Sequence, residues 1–313
     1  MKLFTGSSHP ALAKALAKGL GIVLGEIERK KFSGGERYVR YLESVRGKDV
    51  YVLQGISENV NEDLMELFLM CQAAKLSFAE HVHVILPYFP YSRQDRVAEP
   101  REPISARLVA KLLEESGADH VITIDLHSVQ IQGFFGIPVD ALDGRPIFAE
   151  YFRRKKLKDP VVVAPDAGGA HRAKRFADML GAELAVMHKS RPQHQKSEVV
   201  EVVGDISDRT CVIFDDMIDT AGSLVSAKEA LMKRGARKEI YAAATHGIFS
   251  GPAIERLRKA RFTEVVVSDS LPVKAKTFPG LHILETAPLL TEVIEHITHG
   301  QSVTQIYKKK RAD

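Results

Sequence analysis

The stretch VIFDDMIDTAGS, residues 212 to 223, sets three carboxylates, Asp215, Asp216 and Asp219, directly before a turn of small residues. Thr220, Ala221, Gly222 and Ser223 can present successive backbone N–H groups and two hydroxyls to a phosphate at a helix N-terminus, where the dipole also favours an anion. Carboxylates facing that phosphate would repel it. Turned toward sugar hydroxyls or Mg²⁺ they would not, so the loop suits a ligand that is phosphate at one end and polyol at the other. An ordinary helix cap at Asp219 or Thr220 explains the turn alone, but not two further acids on a strand end, where apolar residues pack at lower cost.

A second loop repeats the combination. VVVAPDAGGAHRAKRF ends a strand with Asp166 and offers Gly168 and Gly169 at a helix start; one such turn is weak evidence and two are stronger. PYFPYSRQDRVAEPREPISA packs Arg93, Gln94, Asp95, Arg96 and Arg101 into a short span rich in the fork-shaped donors that suit polyphosphate. TIDLHSVQIQGFF places Asp125 and His127 at another strand end, where imidazole can meet a metal or a phosphate. Lys189 and Arg191, in MHKSRPQHQKSEVVEVVGD, open a polar segment without apolar period that reads as a mobile basic loop able to close over an anionic transition state.

The elements that must hold these loops alternate along the chain. KDVYVLQGI, HVHVILPYF, HVITIDL, PVVVAPD, ELAVMHKS, CVIFDD, EIYAAATHG, FTEVVVSDS and LHILET read as strands. NEDLMELFLMCQAAKL, ISARLVAKLLEESGA, AHRAKRFADML, LVSAKEALMKRGA, GPAIERLRKA and LLTEVIEHITHG read as helices. That rhythm calls for an α/β fold of mostly parallel sheets in two doubly wound halves, whose ligands lie in loops at the carboxyl ends of the strands. The expected domains are residues 1–145 and 146–313, with the last helix packing back on the first.

Composition sets the wider frame. A chain of 313 residues fits two domains of about 150 each. A net charge of +4, spread along the chain, permits acidic ligands without requiring nucleic acid, and the closing YKKKRAD reads as a solvated tail. Two cysteines form no disulfide framework, and no charged-then-apolar leader or apolar run of about 18 residues occurs, so a soluble cytoplasmic protein without membrane contact is expected. The usual nucleotide fingerprints, G-x-x-x-x-G-K-[ST] and a complete G-x-G-x-x-G, are missing, so bound ATP would not use a P-loop.

Taken in order and spacing, PYFPYSRQDR, REPISA, DLHSVQIQGFF, PDAGGAHRAKRFA, DDMIDTAGS and THGIFSGPA closely resemble the ribose-phosphate pyrophosphokinases, from about Leu3 to Val303 and most of all the phosphate-activated class I. The resemblance implies two phosphoribosyltransferase-like domains and transfer of the β,γ-diphosphoryl group of ATP to the 1-hydroxyl of ribose 5-phosphate. It assigns ribose 5-phosphate to Asp219, Thr220, Ala221, Gly222 and Ser223, with Asp215 and Asp216 at the ribose hydroxyls and Arg191 also in contact. It assigns ATP to Arg93, Gln94 and Asp95, and to Phe32, Gly34, Gly35 and Glu36 of the FSGGE loop from a neighbouring subunit. His127 and Asp166 match the Mg²⁺-associated pair, and Lys189 and Arg191 the catalytic pair. A homo-oligomer built from dimers, expected to be a hexamer, follows from the shared ATP pocket.

Departures from the family pattern concern binding and regulation. Gly34 stands where the family usually has Asp or Asn, and Ser223 where it usually has Thr. The helix end that is rich in Ser and Arg in the family is KLSFAEH here, and TQIYKKK replaces the usual ending, although Ser44 and Arg46 are kept in ESVRG. Weakened or altered phosphate activation and ADP inhibition is expected. Two other readings share parts of the pattern: a non-catalytic synthetase-associated subunit, against which the retained Lys189, Arg191, His127 and Asp166 argue, and a phosphoribosyltransferase, which normally has one such domain and no PYSRQDR segment.

Overall fold

The computed structural model describes residues 1–190, 199–273 and 277–307, with backbone alone for 189, 190, 199 and 200. The chain separates into two compact units, Met1–Asp143 with Ser270–Pro272 and the segment from Glu285 onward, and Gly144–Asp269 with Val273–Leu284.

The first unit begins with β1 (Lys2–Thr5), α1 (Pro10–Gly19), β2 (Ile27–Lys31), β3 (Arg37–Tyr41), β4 (Asp49–Leu53) and α2 (Val60–Leu76). It continues with β5 (His81–Ile85), α3 (Ser105–Glu115), β6 (His120–Ile124), a 3-10 turn over Val129–Phe134 and β7 (Val139–Leu142). Five strands form a parallel sheet in the order β1-β4-β5-β6-β7. Parallel strands covered on both faces need apolar residues at every position, and Val50, Val52, Val82, Val84, Val121 and Ile122 are fully buried. β2 and β3 pair as an antiparallel hairpin, and the N–H of Gly25, just before it, donates to Leu3 O on β1 at 2.8 Å.

The second unit holds α4 (Arg145–Lys155), β8 (Pro160–Ala164), α5 (Ala170–Leu180), β9 (Glu183–Ser190), β10 (Val199–Val203) and β11 (Thr210–Ile218). After these come α6 (Gly222–Lys233), β12 (Ile240–Gly247), α7 (Ala253–Ala260), β13 (Glu264–Ser268) and β14 (Leu281–Leu284). The sheet runs β10-β9-β8-β11-β12-β13-β14, parallel except for the antiparallel β10–β9 pair. Winding proceeds outward in both directions from β8 and β11, which makes their junction the switch point where open α/β sheets bind ligands. Phe148 and Phe152 of α4 pack with Phe176 and Phe214, whose rings stack at 4.1 Å.

Two features differ from the expected layout, and the place of the last helix does not. A break between Asp143 and Gly144 replaces the cut at residue 145, because Leu142 completes the first sheet while the next helix carries two phenylalanines into the second core. The final helix α8 (Ala287–Thr298) belongs to the first unit: it packs on α1, so closely that a Cβ at Gly19 would overlap Thr291. Val199–Val203, expected within a polar loop, is a strand, because its partner β9 supplies the ladder that the short run VVEVV could not announce alone.

The two units share an order of parts. Strand, helix, antiparallel hairpin, then four further parallel strands describes β1 to β7 and equally β8 to β14. The likeness lies in topology.

Candidate active site

In the second unit the chemistry gathers where β8 and β11 end side by side. Asp166 follows β8, and its Oδ1 accepts the N–H of Gly169 at 2.8 Å, which fixes the entry to α5. The turn passes close to both carboxylates: a Cβ at Gly168 would lie a tight 3.2 Å from Asp166 Oδ1, and one at Gly169 would be in ordinary contact with Asp215 Oδ1 at 3.8 Å. The Asp166 loop and the Asp215 side chain are thus neighbours.

Asp215 and Asp216 lie within β11 rather than after it. One nitrogen of Arg172, on the first turn of α5, donates to Asp215 Oδ1 and to Asp216 Oδ1, each at 3.0 Å, and the N–H of Asp216 donates to Asp215 Oδ1 at 2.9 Å. Burial and the neighbouring Asp216 push Asp215 up to about 7, against the opposing pull of Arg172. An acidic wall that would repel a phosphate is therefore partly neutralised from behind, and Asp215 has capacity left to accept from a hydroxyl.

The turn of small residues follows directly. Ala221 sits at φ 59° in the left-handed region, a conformation disfavoured for a residue with a Cβ, and α6 starts at Gly222 without a side-chain cap. Such a twist before a helix turns successive N–H groups toward one point. The loop after β12 and the helix α7 that follows brace it: Ser250 Oγ donates to Asp219 Oδ1, Ser250 N–H donates to Asp219 O at 3.1 Å, and Arg256 Nη1 of α7 donates to Thr220 O at 3.0 Å. A Cβ at Gly222 would approach Arg256 Nη1 to 3.3 Å. Lys189 lies near the end of β9 with its side chain outside the description, and Arg191 lies outside the described residues.

In the first unit the expected ATP residues follow β5. Arg93 and Gln94 close a tight turn from Tyr91, in which Gln94 N–H donates to Tyr91 O at 2.9 Å; Ser105 Oγ donates to Gln94 Oε1 at 2.6 Å, and Asp95 follows the turn. Asp125 and His127 follow β6, with Asp125 at φ 43° and its N–H donating to Leu142 O at 2.9 Å. The FSGGE loop is the tip of the β2–β3 hairpin: Phe32 N–H donates to Glu36 O, Gly35 at φ 95° makes the reversal, and Phe32 is half exposed. His127 and Asp166 belong to different units.

At the other end of that hairpin, Ser44 and Arg46 line an open depression of about 460 Å³ with Arg40, Tyr41, Ala73 and Ser77. The Arg46 guanidinium lies over the ring of Phe78 at 4.2 Å, and Phe78 itself is held at φ 62°.

Residues 1–117 match the family model for the N-terminal domain of ribose phosphate pyrophosphokinase, and residues 191–308 the one for the phosphoribosyl synthetase-associated domain. A ribose-phosphate pyrophosphokinase of Caldanaerobacter subterraneus subsp. tengcongensis is 47% identical over 309 residues, 98% of each chain. This chain belongs to the ribose-phosphate pyrophosphokinase family. Another relative of that name, from Helicobacter hepaticus, is 45% identical over 98% of each chain. The crystal structure of phosphoribosylpyrophosphate synthetase from Mycobacterium smegmatis superposes with a TM-score of 0.91 at 42% identity, covering 96% of this chain and 99% of that one.

Within this family fold, three residues of the site escaped the sequence reading: Arg172, Ser250 and Arg256. Arg172 was visible one turn beyond the two glycines, but its partners stand 43 and 44 positions away. Only the adjacency of β8 and β11 joins them.

Proposed function

We propose that this chain is a ribose-phosphate diphosphokinase that transfers the β,γ-diphosphoryl group of ATP to the 1-hydroxyl of ribose 5-phosphate, releasing AMP and 5-phosphoribosyl 1-diphosphate. The observation that carries the reading is the joined Asp215–Ser223 segment: a left-handed anion turn directly after carboxylates that Arg172 partly neutralises. The phosphate of the sugar belongs on the N–H groups of Thr220 to Ser223, and its ring hydroxyls donate to Asp215 and Asp216.

ATP is assigned to Arg93, Gln94 and Asp95, with Phe32, Gly34, Gly35 and Glu36 of a neighbouring subunit closing the adenine side. In-line attack on the β-phosphorus spreads negative charge over several oxygens, so cations placed there favour the transition state over the ground state. Lys189 and Arg191 are assigned that task. Asp166 suits a hard cation: one oxygen holds the Gly169 N–H, which leaves Oδ2 for Mg²⁺, an ion that takes one or two protein ligands beside substrate phosphates. His127 is assigned with it as the other Mg²⁺-associated residue. When bound, Mg²⁺ would supply charge neutralisation at the phosphates; the chain's residues position the two substrates. A dimer-based homo-oligomer, a hexamer in our reading, and a cytoplasmic location complete the proposal. No described helix is long and apolar enough to cross a membrane.

³¹P NMR of the protein with ATP, Mg²⁺ and ribose 5-phosphate tests the reading. AMP and a sugar-bound diphosphate should appear together. ADP with a sugar bisphosphate would mean an ordinary kinase, and no turnover by the intact oligomer would favour a non-catalytic subunit.

A further inference from the structure

A second cluster of chemistry-bearing side chains lies at the amino ends of the strands in the first unit, the end opposite Arg93, Asp125 and His127. Asp49 opens β4, His81 opens β5, and the two are directly paired in the ladder, with Tyr51 and His83 paired two residues on. Alternation along a strand puts all four on one face. Asp49, His81 and His83 each offer one ligand atom, and these atoms lie within 4.8 Å of one another. His81 Nδ1 is already 2.9 Å from Asp49 Oδ1.

A chain of hydrogen bonds behind the cluster orients His83. His120 Nε2 stands 3.1 Å from Asp140 Oδ2, and His120 Nδ1 stands 3.1 Å from His83 Nδ1. An ionised carboxylate only accepts, so His120 Nε2–H donates to Asp140 and His120 Nδ1 is left as acceptor. His83 Nδ1–H then donates to it, and the lone pair of His83 is on Nε2. Among the described residues, none is hydrogen-bonded to that atom. The ring is held flat by Tyr51, stacked at 4.4 Å and 14°. A carboxylate fixing the far nitrogen of an imidazole is the usual support of a metal-ligating histidine, here relayed through a second imidazole.

We propose that Asp49, His81 and His83 bind a borderline divalent transition metal such as Zn²⁺, with water in the fourth position. Two imidazoles and one carboxylate suit that class rather than Mg²⁺ or Ca²⁺, which prefer oxygen. Tetrahedral bonds of about 2.0–2.1 Å separate neighbouring ligand atoms by roughly 3.3 Å, so small side-chain rotations close the site. His120 is a positioning residue. The ion would tie β4 to β5 away from the diphosphoryl-transfer loops, and its role would be structural.

Zn²⁺ titration of the metal-stripped full chain by calorimetry, with excess Mg²⁺ present throughout, tests the proposal. Wild type should bind one Zn²⁺ per chain and gain thermal stability. His81→Ala, an exposed position expected to fold normally, and Asp49→Asn should each lose at least about tenfold in affinity. His120→Ala should weaken binding about 10- to 100-fold, and His120→Asn, whose amide oxygen can accept from His83 Nδ1, should restore it. Diffraction at the zinc edge from soaked crystals should place the ion between the three side chains. No Zn²⁺ bound by wild type, unchanged affinity in His81→Ala, or an anomalous peak elsewhere would each overturn the assignment.

Discussion

Asp215 and Arg172 carry the sharpest consequences at the scale of single residues. The folded pKa of Asp215, about 7, is above the ordinary 3.8 of an aspartate, so the folded protein holds this proton more tightly than the unfolded chain does. Its contribution to stability is present below about pH 4 and is lost as pH rises through about 7. Asp215→Asn should therefore gain stability relative to wild type between pH 5 and pH 8 in urea unfolding, while weakening ribose 5-phosphate binding at pH 8. The opposite pH trend would remove burial and Asp216 as the cause. Arg172→Met leaves two facing carboxylates, one of them buried, without their shared cation. We expect a loss on the order of 3 kcal/mol in the same assay, as for breaking a buried pair, together with reduced turnover. For Lys189→Ala the expected result is a fall of about 10²- to 10³-fold in kcat with ribose 5-phosphate affinity little changed, by analogy with loss of one transition-state donor. Unchanged kcat in steady-state assays would take Lys189 out of the mechanism.

Between residue and domain stand the turns that the sheet holds open. The left-handed Ala221 is held because the loop after β12 and the helix α7 clamp its neighbours, through Ser250 on Asp219 and Arg256 on Thr220. The regulatory departures belong to this scale as well. Ser44 and Arg46 leave the hairpin, while Ser77 and Phe78 end α2, and the Phe78 ring occupies a face of the Arg46 guanidinium. A cation covered by an aromatic ring has less of its surface open to an anion. Wild type should show a shallow response to added phosphate, and Phe78→Ala should steepen it. A strong class I-like activation of wild type in a phosphate titration would refute the idea.

At the scale of the whole molecule the ATP pocket is proposed to need two chains, since the FSGGE tip would serve a neighbour. Mixing inactive Lys189→Ala subunits with inactive subunits mutated at the tip, Phe32→Ala with Glu36→Ala, should regenerate activity in the mixed oligomers, because some pockets then receive both intact parts. Mixtures as inactive as their components, with subunit exchange verified by mass spectrometry, would show that each chain completes its own pocket.

Long periodic segments were legible from residue order alone. The Val-rich strands and the apolar stripes of α3 and α5 announce themselves because hydrophobic periodicity is local, and the small-residue turn before α6 was legible because its residues adjoin in sequence. The β2–β3 hairpin was not recognised, since IERKK and RYVRY have little apolar alternation and owe their pairing to each other. β10 needed β9 for the same reason. Arg172 beside two aspartates more than 40 positions away and the Asp49, His81 and His83 cluster were decided only by tertiary structure. Each depends on which strands lie side by side and in what register, and that is fixed by burial of the sheets as wholes rather than by any stretch of sequence.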